Sequence, residues 1–83
     1  MNELNRGQTV LLESFPVLNQ AFREKVNEGY TYHSFAYVSE AKQEELRITL
    51  AKGYERFVLQ QKRNRDGFTA ATFGREGEVG EEL

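Results

Sequence analysis

Hydrophobic residues repeat at helical spacing in an early segment of the chain, with polar residues between them. The repeating residues, at intervals of three, four and four, are Phe15, Leu18, Phe22 and Val26. Ser14 offers an N-cap, Pro16 suits the first turn, and Gly29 suits the left-handed conformation that ends many helices. The pattern predicts a helix over residues 15–28.

Residues 30–38 follow a different pattern, rich in aromatic and β-branched side chains and poor in helix formers. Such a composition is typical of a β-strand. Neither of the two alternating faces is polar, so we expect both to be at least partly covered. A shorter apolar run at residues 8–13 fits either a strand or one turn of helix, and we assign it to the sheet.

The segment from residue 40 to residue 64 allows two interpretations. An apolar stripe runs through it without losing helical phase, formed by Leu46, Leu50, Tyr54, Phe57 and Val58. One glycine inside a helix costs about 1 kcal/mol, so Gly53 need not interrupt it. We therefore predict one long helix over residues 40–64. The alternative ends this helix at Gly53 and pairs residues 55–62 with residues 68–73 in a hairpin.

These elements predict an α+β fold, a single small globular domain of residues 1–75. Its helices are residues 15–28 and 40–64, and its small sheet consists of residues 8–13, 30–38 and 68–73. The alternative interpretation gives a βαβαββ mixed sheet. The long helix would be apolar on two sides, so it would either lie between two layers or pair with another chain. The second alternative predicts a homo-oligomer.

The composition agrees with one small folded domain. The chain has 83 residues, of which 39% are hydrophobic, with six Phe and four Tyr. That is enough for one compact core and too much for a disordered chain. The absence of cysteine excludes a disulfide framework, a thiolate zinc site and a thiol nucleophile. No apolar run approaches the roughly 20 residues that cross a bilayer, and no signal peptide is apparent, so we expect a cytoplasmic protein without a membrane partner.

Charge is distributed unevenly along the chain. The formal net charge is −2, but four carboxylates lie in the last eight positions without a basic residue, namely Glu76, Glu78, Glu81 and Glu82. The remaining residues are 9 acidic and 11 basic, a net charge of +2. We expect residues 76–83 to form an acidic, disordered tail outside the domain.

Catalytic chemistry finds little support in the sequence. The single histidine, His33, lies within a predicted strand and has no recognisable nucleophile partner. Glu40 and Glu44 share a face of the predicted long helix, but hard cations take six or more oxygen ligands, usually from several segments. No glycine-rich phosphate-binding motif is present. We therefore predict a non-enzymatic protein with no catalytic residues, no metal site and no cofactor.

One basic cluster lies near the end of the predicted long helix. Its members are Arg56, Lys62, Arg63 and Arg65. Cations at this position complement the helix dipole and can cap the last carbonyls, which needs no ligand. The same cluster can also bind phosphate or an acidic protein surface through salt-sensitive contacts. It supports a second hypothesis, a weak nucleic-acid-binding protein in which the acidic tail competes with phosphate.

A surplus of aromatic side chains supports the first functional hypothesis. The candidate protein-binding residues are Tyr30, Tyr32, Phe35 and Tyr37. Tyrosine is enriched at protein interfaces because its ring is apolar and its hydroxyl tolerates water. We predict a small protein-binding module, an adaptor or inhibitor, that acts through the aromatic strand and its exposed edge. Its size would suit a phage or mobile-element accessory protein.

Overall fold

Two helices and four strands follow one another along the chain in the computed structural model, which describes residues 4–78 apart from the side chains of residues 68–70. The elements are α1 (Arg6–Glu13), α2 (Pro16–Asn27), β1 (Thr31–Glu40), β2 (Gln43–Lys52), β3 (Glu55–Asn64) and β4 (Gly67–Arg75). The predicted α+β class is confirmed. So are the early helix, observed as α2, and the aromatic strand, observed as β1.

Helix α1 replaces the strand predicted at residues 8–13, and that prediction is wrong. Asn5 starts the helix with a reciprocal capping box: its side-chain oxygen accepts the Gln8 N–H at 2.8 Å. The Gln8 side chain in turn accepts the Asn5 N–H at 2.9 Å. Two backbone N–H donors at the helix start are thereby hydrogen-bonded. The apolar residues that follow lie in the helix, and Leu12 is buried.

The long helix predicted over residues 40–64 is wrong, because the chain forms strands β2 and β3 there. Gly53 adopts φ +62° and opens a two-residue turn between Lys52 and Glu55, which are paired across the hairpin. A positive φ is cheap for glycine and does not occur inside a helix. The alternative interpretation predicted the β3–β4 hairpin correctly, but its helix ending at Gly53 and its mixed sheet are also wrong.

The sheet is a four-stranded antiparallel meander in the order β1-β2-β3-β4. One of its faces packs against the helices, and α2 contacts both β1 and β3. The core that joins the two layers consists of Leu12, Phe15, Leu18, Tyr30, Leu46, Ile48, Leu50 and Leu59. Because side chains alternate along a strand, Thr49 and Val58 point to the opposite face. We call these two sides the helix-covered face and the helix-free face.

Candidate protein-binding edge

Strand β1 is the outermost strand on one side of the sheet, as the sequence hypothesis of an exposed edge requires. It is ten residues long and pairs with β2 through a register that shifts once, between Tyr32 and Ser34. The extra residue at this β-bulge is His33, which is exposed. Residues 34–40 beyond the bulge pair regularly with β2.

Three of the four predicted aromatic residues pack against the core of the domain. Tyr30 is buried just before β1, and its ring meets the Phe57 ring edge-on with centroids 6.2 Å apart. Tyr32 and Phe35 are half-buried against the core on the helix-covered face. Tyr37 is 40% exposed. The aromatic side chains therefore do not form one continuous binding surface.

Two tyrosine hydroxyls donate hydrogen bonds to carboxylates of other strands. The Tyr30 hydroxyl donates to Glu55 at 2.6 Å, and the Tyr37 hydroxyl donates to Glu44 at 2.8 Å. These bonds stabilise the charged carboxylates, so the pKa values of Glu55 and Glu44 lie below their ordinary value. The bond to Glu55, followed by burial, raises the pKa of Tyr30. Both tyrosines are thus fixed to the sheet.

The backbone groups of β1 divide between β2 and the open side of the sheet. In an antiparallel ladder, successive residues bond alternately to the strands on either side. The Glu76 N–H donates to the Arg56 carbonyl at 3.0 Å, which sets the phase of this alternation in β3. The register of β3 with β2 and that of β2 with β1 extend this alternation to β1. The N–H and C=O groups of Ala36 therefore point toward β2. Those of Phe35 and Tyr37 point toward the open edge.

Apart from His33 at the bulge, the side chains along this edge are small, aliphatic or aromatic. From Thr31 to Ser39 there is no lysine, arginine, aspartate, glutamate or proline. Ser34, Ala36 and Val38 lie exposed on the helix-free face, where they pair with residues of β2. The edge thus combines outward backbone groups with side chains that would not obstruct another strand.

The predicted basic cluster is divided between different parts of the sheet. Arg56 and Lys62 lie on the helix-free face by strand alternation. The Lys62 ammonium is 4.0 Å from the Glu45 carboxylate. Arg65 lies in the turn between β3 and β4.

Arg63, the fourth member, lies on the helix-covered face and links β3 to the helix layer. Its guanidinium donates to Glu44 at 2.6 Å and to the Ser14 carbonyl at 3.0 Å. It also lies 5.0 Å from the centroid of the Phe15 ring. These contacts give Arg63 a role in joining β3 to the α1–α2 junction. The helix-capping interpretation of the cluster is wrong, because there is no helix at this position.

Two features of the hairpin turns differ from what the sequence predicts. Tyr54, in the β2–β3 turn, is fully exposed. Ala41, in the β1–β2 turn, adopts φ +53°, a conformation that favours glycine or asparagine. The position of Tyr54 directly after Gly53 indicates an exposed turn residue if residues 43–64 are interpreted as a hairpin. The sequence carries no signal for the positive φ of Ala41.

A shallow cleft lies on the helix-free face beside the β1–β2 turn, at one end of the edge. Its lining has the apolar side chains of Val38 and Ala41, and its charged side chains are Glu40, Lys42, Glu45 and Lys62. Among the described residues, no group of three or more His, Asp or Glu side chains could hold a metal ion.

No protein-family model, curated protein or solved structure matches this chain. Within residues 4–78 no helix is long and apolar enough to cross a membrane. Of the acidic tail predicted over residues 76–83, Glu76 continues the pairing of β4 with β3, and residues 79–83 lie outside the described residues. Function is therefore inferred from the geometry of the described residues alone.

Proposed function

We propose that this chain is a non-enzymatic protein-binding module that accepts an extended segment of another protein as an additional strand on β1. The observation that carries the proposal is the position of β1. It is an outermost strand with the backbone groups of Phe35 and Tyr37 directed outward, and it has no lysine, arginine, acidic residue or proline from Thr31 to Ser39. Main-chain hydrogen bonds give affinity in this mode of recognition, and alternate side chains give specificity.

Unprotected edges of this kind are uncommon in soluble proteins. Natural sheets usually block their edges with lysine, proline, inward-pointing charges, β-bulges or very short strands, because a free edge pairs with other chains. β1 has ten residues and only one irregularity, at His33. The bulge lies at one end and leaves residues 34–39 regular. A site for a partner strand explains why this edge lacks the usual protection.

The side chains flanking the edge define the chemistry of the partner segment. On the helix-free face, Ala36 and Val38 leave room for bulky apolar side chains of an added strand. On the helix-covered face, the partly exposed Tyr37 ring offers an aromatic contact. The proposal favours an uncharged, β-branched or aromatic segment of about six residues, since that length matches a typical strand.

The proposal changes the role assigned to the aromatic residues. Tyr30, Tyr32 and Phe35 support β1 from the helix-covered face, and the partner contacts the strand edge. Both an adaptor and an inhibitor could bind their partner protein through such an edge. The cytoplasmic location stays a prediction.

The experiment is a selection of random displayed peptides of about 12 residues on the intact protein, long enough to contain one strand. The best peptide is then added to isotopically labelled protein, and amide hydrogen exchange is measured by NMR. We expect slower exchange at the amides of Phe35 and Tyr37, which become hydrogen-bonded. The amide of Phe73, on the opposite edge, serves as the internal control and should not change.

Two results would overturn the proposal. One is a selection that yields no binding peptide. The other is a set of peptides that leave the exchange of Phe35 and Tyr37 unchanged and instead perturb the helices or the β2–β3 turn around Tyr54.

A further inference from the structure

Strand β4 forms the opposite edge of the sheet and has an unusual sequence. Residues 67–74 read Gly-Phe-Thr-Ala-Ala-Thr-Phe-Gly, which is the same in both directions. Asp66 precedes this segment and Arg75 follows it. The palindromic segment itself carries no charge. An antiparallel pairing of β4 with itself would therefore place like residues opposite each other and opposite charges at the two ends.

The backbone of β4 is oriented for such a pairing. The bonded pair Arg56–Glu76 sets the alternation between β3 and β4. The register of β3 with β4 extends this alternation along β4. The N–H and C=O groups of Ala71 and Phe73 therefore point toward the open edge. The backbone N–H and C=O groups of Phe68, which is paired with Arg63, point outward in the same way.

A β-bulge reconciles the palindrome with twofold symmetry. In a regular antiparallel ladder the symmetry axis passes through a residue paired with its own copy, whereas an eight-residue palindrome has its centre between two residues. In β4 the register advances three residues, from Phe68 to Ala71, while β3 advances two. The bulge therefore absorbs one residue of the palindrome. With it, Ala71 pairs with Ala71 of the second copy while Phe68 pairs with Phe73.

We propose that β4 pairs antiparallel with β4 of a second copy of this chain, which joins the two sheets into one of eight strands. Asp66 of each copy then lies near Arg75 of the other, giving two symmetry-related ion pairs at the ends of the contact. The axis is perpendicular to the sheet, so both helix layers lie on the same side. Phe73, which is 39% exposed on the helix-covered face, is opposite Phe68 of the second copy. Cross-strand pairs of opposite charge stabilise antiparallel strands.

This dimer uses the opposite edge from the proposed partner-binding site and is closed. An isologous contact occupies both β4 edges and leaves none for further growth, whereas pairing β4 with β1 of another copy would generate an open filament. The two β1 edges lie at the outer ends of the joint sheet. With strands about 4.8 Å apart, seven spacings separate them by about 34 Å. The dimer would thus present two partner-binding edges.

Sedimentation velocity of variants in which the charges of Asp66 and Arg75 are reversed or exchanged tests this proposal. The protein is measured from about 1 to about 300 µM, the range expected for a small interface. We expect a monomer–dimer equilibrium in the wild type, weakened about tenfold by Asp66→Arg or by Arg75→Asp, because each places like charges together. The double variant, Asp66→Arg with Arg75→Asp, exchanges the pair and should restore the dimer. A double variant as weak as the singles would contradict this register.

A distance measurement identifies the edge that pairs. The chain has no cysteine, so Ala36→Cys carries a single spin label on β1. Pulsed electron paramagnetic resonance should give a distance of about 34 Å between the two labels across eight strands. A much shorter distance would show that β1 edges pair, and this would overturn the proposal. Monomers at every concentration, or growing filaments, would also overturn it. None of these results depends on peptide capture, so failure here is distinguishable from failure of the proposed function.

Discussion

One polar side chain, Arg63, links the helix layer to the sheet at the end nearest the β1–β2 turn. Arg63 contacts the Ser14 carbonyl, the Phe15 ring and the Glu44 carboxylate, and Glu44 also accepts the Tyr37 hydroxyl. A charged hydrogen bond of this type is stronger than a neutral one. The cation that the sequence indicated for phosphate binding thus has a structural role.

Glu44 should make stability depend on pH in the acidic range. Its pKa is lowered from its ordinary 4.5, first by the Tyr37 hydroxyl and then by Arg63. A lowered folded-state pKa contributes stability above the unfolded value, and this is lost as the pH falls through the folded value. Urea unfolding should therefore show Glu44→Gln less stable than wild type near neutral pH, with a difference that shrinks below about pH 4. Glu40→Gln, on an exposed carboxylate, is the control. A difference that stays constant with pH would contradict this role.

Ala41 should be a site where glycine stabilises the protein. Its φ of +53° costs a residue with a side chain about 1–2 kcal/mol, whereas glycine adds about 0.4–1 kcal/mol of unfolded-state entropy. We expect Ala41→Gly to raise the free energy of unfolding by about 0.5 kcal/mol, which corresponds to a few degrees in melting temperature. Ala36→Gly, within β1, should be destabilising instead. If both changes lower the melting temperature, the strain argument fails.

Local patterns along the chain were sufficient to predict α2 and β1. The interval from Leu46 to Leu50 is four residues, and residues four apart share a face both in a helix and in a strand. The apolar stripe through Gly53 therefore could not distinguish one long helix from a hairpin. The decisive fact is the positive φ of Gly53. The edge position of β1 depends on long-range strand order, which no local pattern contains.

The interior of β3 should be sensitive to substitution, and the turn before it insensitive. Leu59 is fully buried in the core between helices and sheet, so Leu59→Ala should cost about 2–4 kcal/mol through lost contacts and a cavity. Tyr54→Ala removes a larger but fully exposed side chain and should change stability by less than about 0.5 kcal/mol. Chemical denaturation of both variants measures the contrast. Comparable losses in the free energy of unfolding for the two variants would contradict the placement of Leu59 in the core and of Tyr54 in an exposed turn.

At the scale of the whole molecule, the four cations of the predicted basic cluster do not lie on one surface. Arg56 and Lys62 lie on the helix-free face, while Arg63 lies on the other and binds Glu44. We therefore expect no binding of labelled single-stranded or duplex oligonucleotides in fluorescence anisotropy at about 50 mM salt, where phosphate contacts are strongest. Binding that weakens steeply toward about 200 mM salt would favour the nucleic-acid hypothesis instead.

The central claim is that the edge of β1 binds an extended partner segment, and backbone N-methylation tests it most directly. Methylating the Tyr37 nitrogen by chemical synthesis removes one outward donor and adds bulk at the edge, while every side chain is kept. The Phe73 nitrogen, methylated on β4, is the matched control. Calorimetric titration with a selected peptide should show affinity reduced at least about tenfold for the Tyr37 derivative and unchanged for the Phe73 derivative. Equal affinities for the two derivatives would contradict the account.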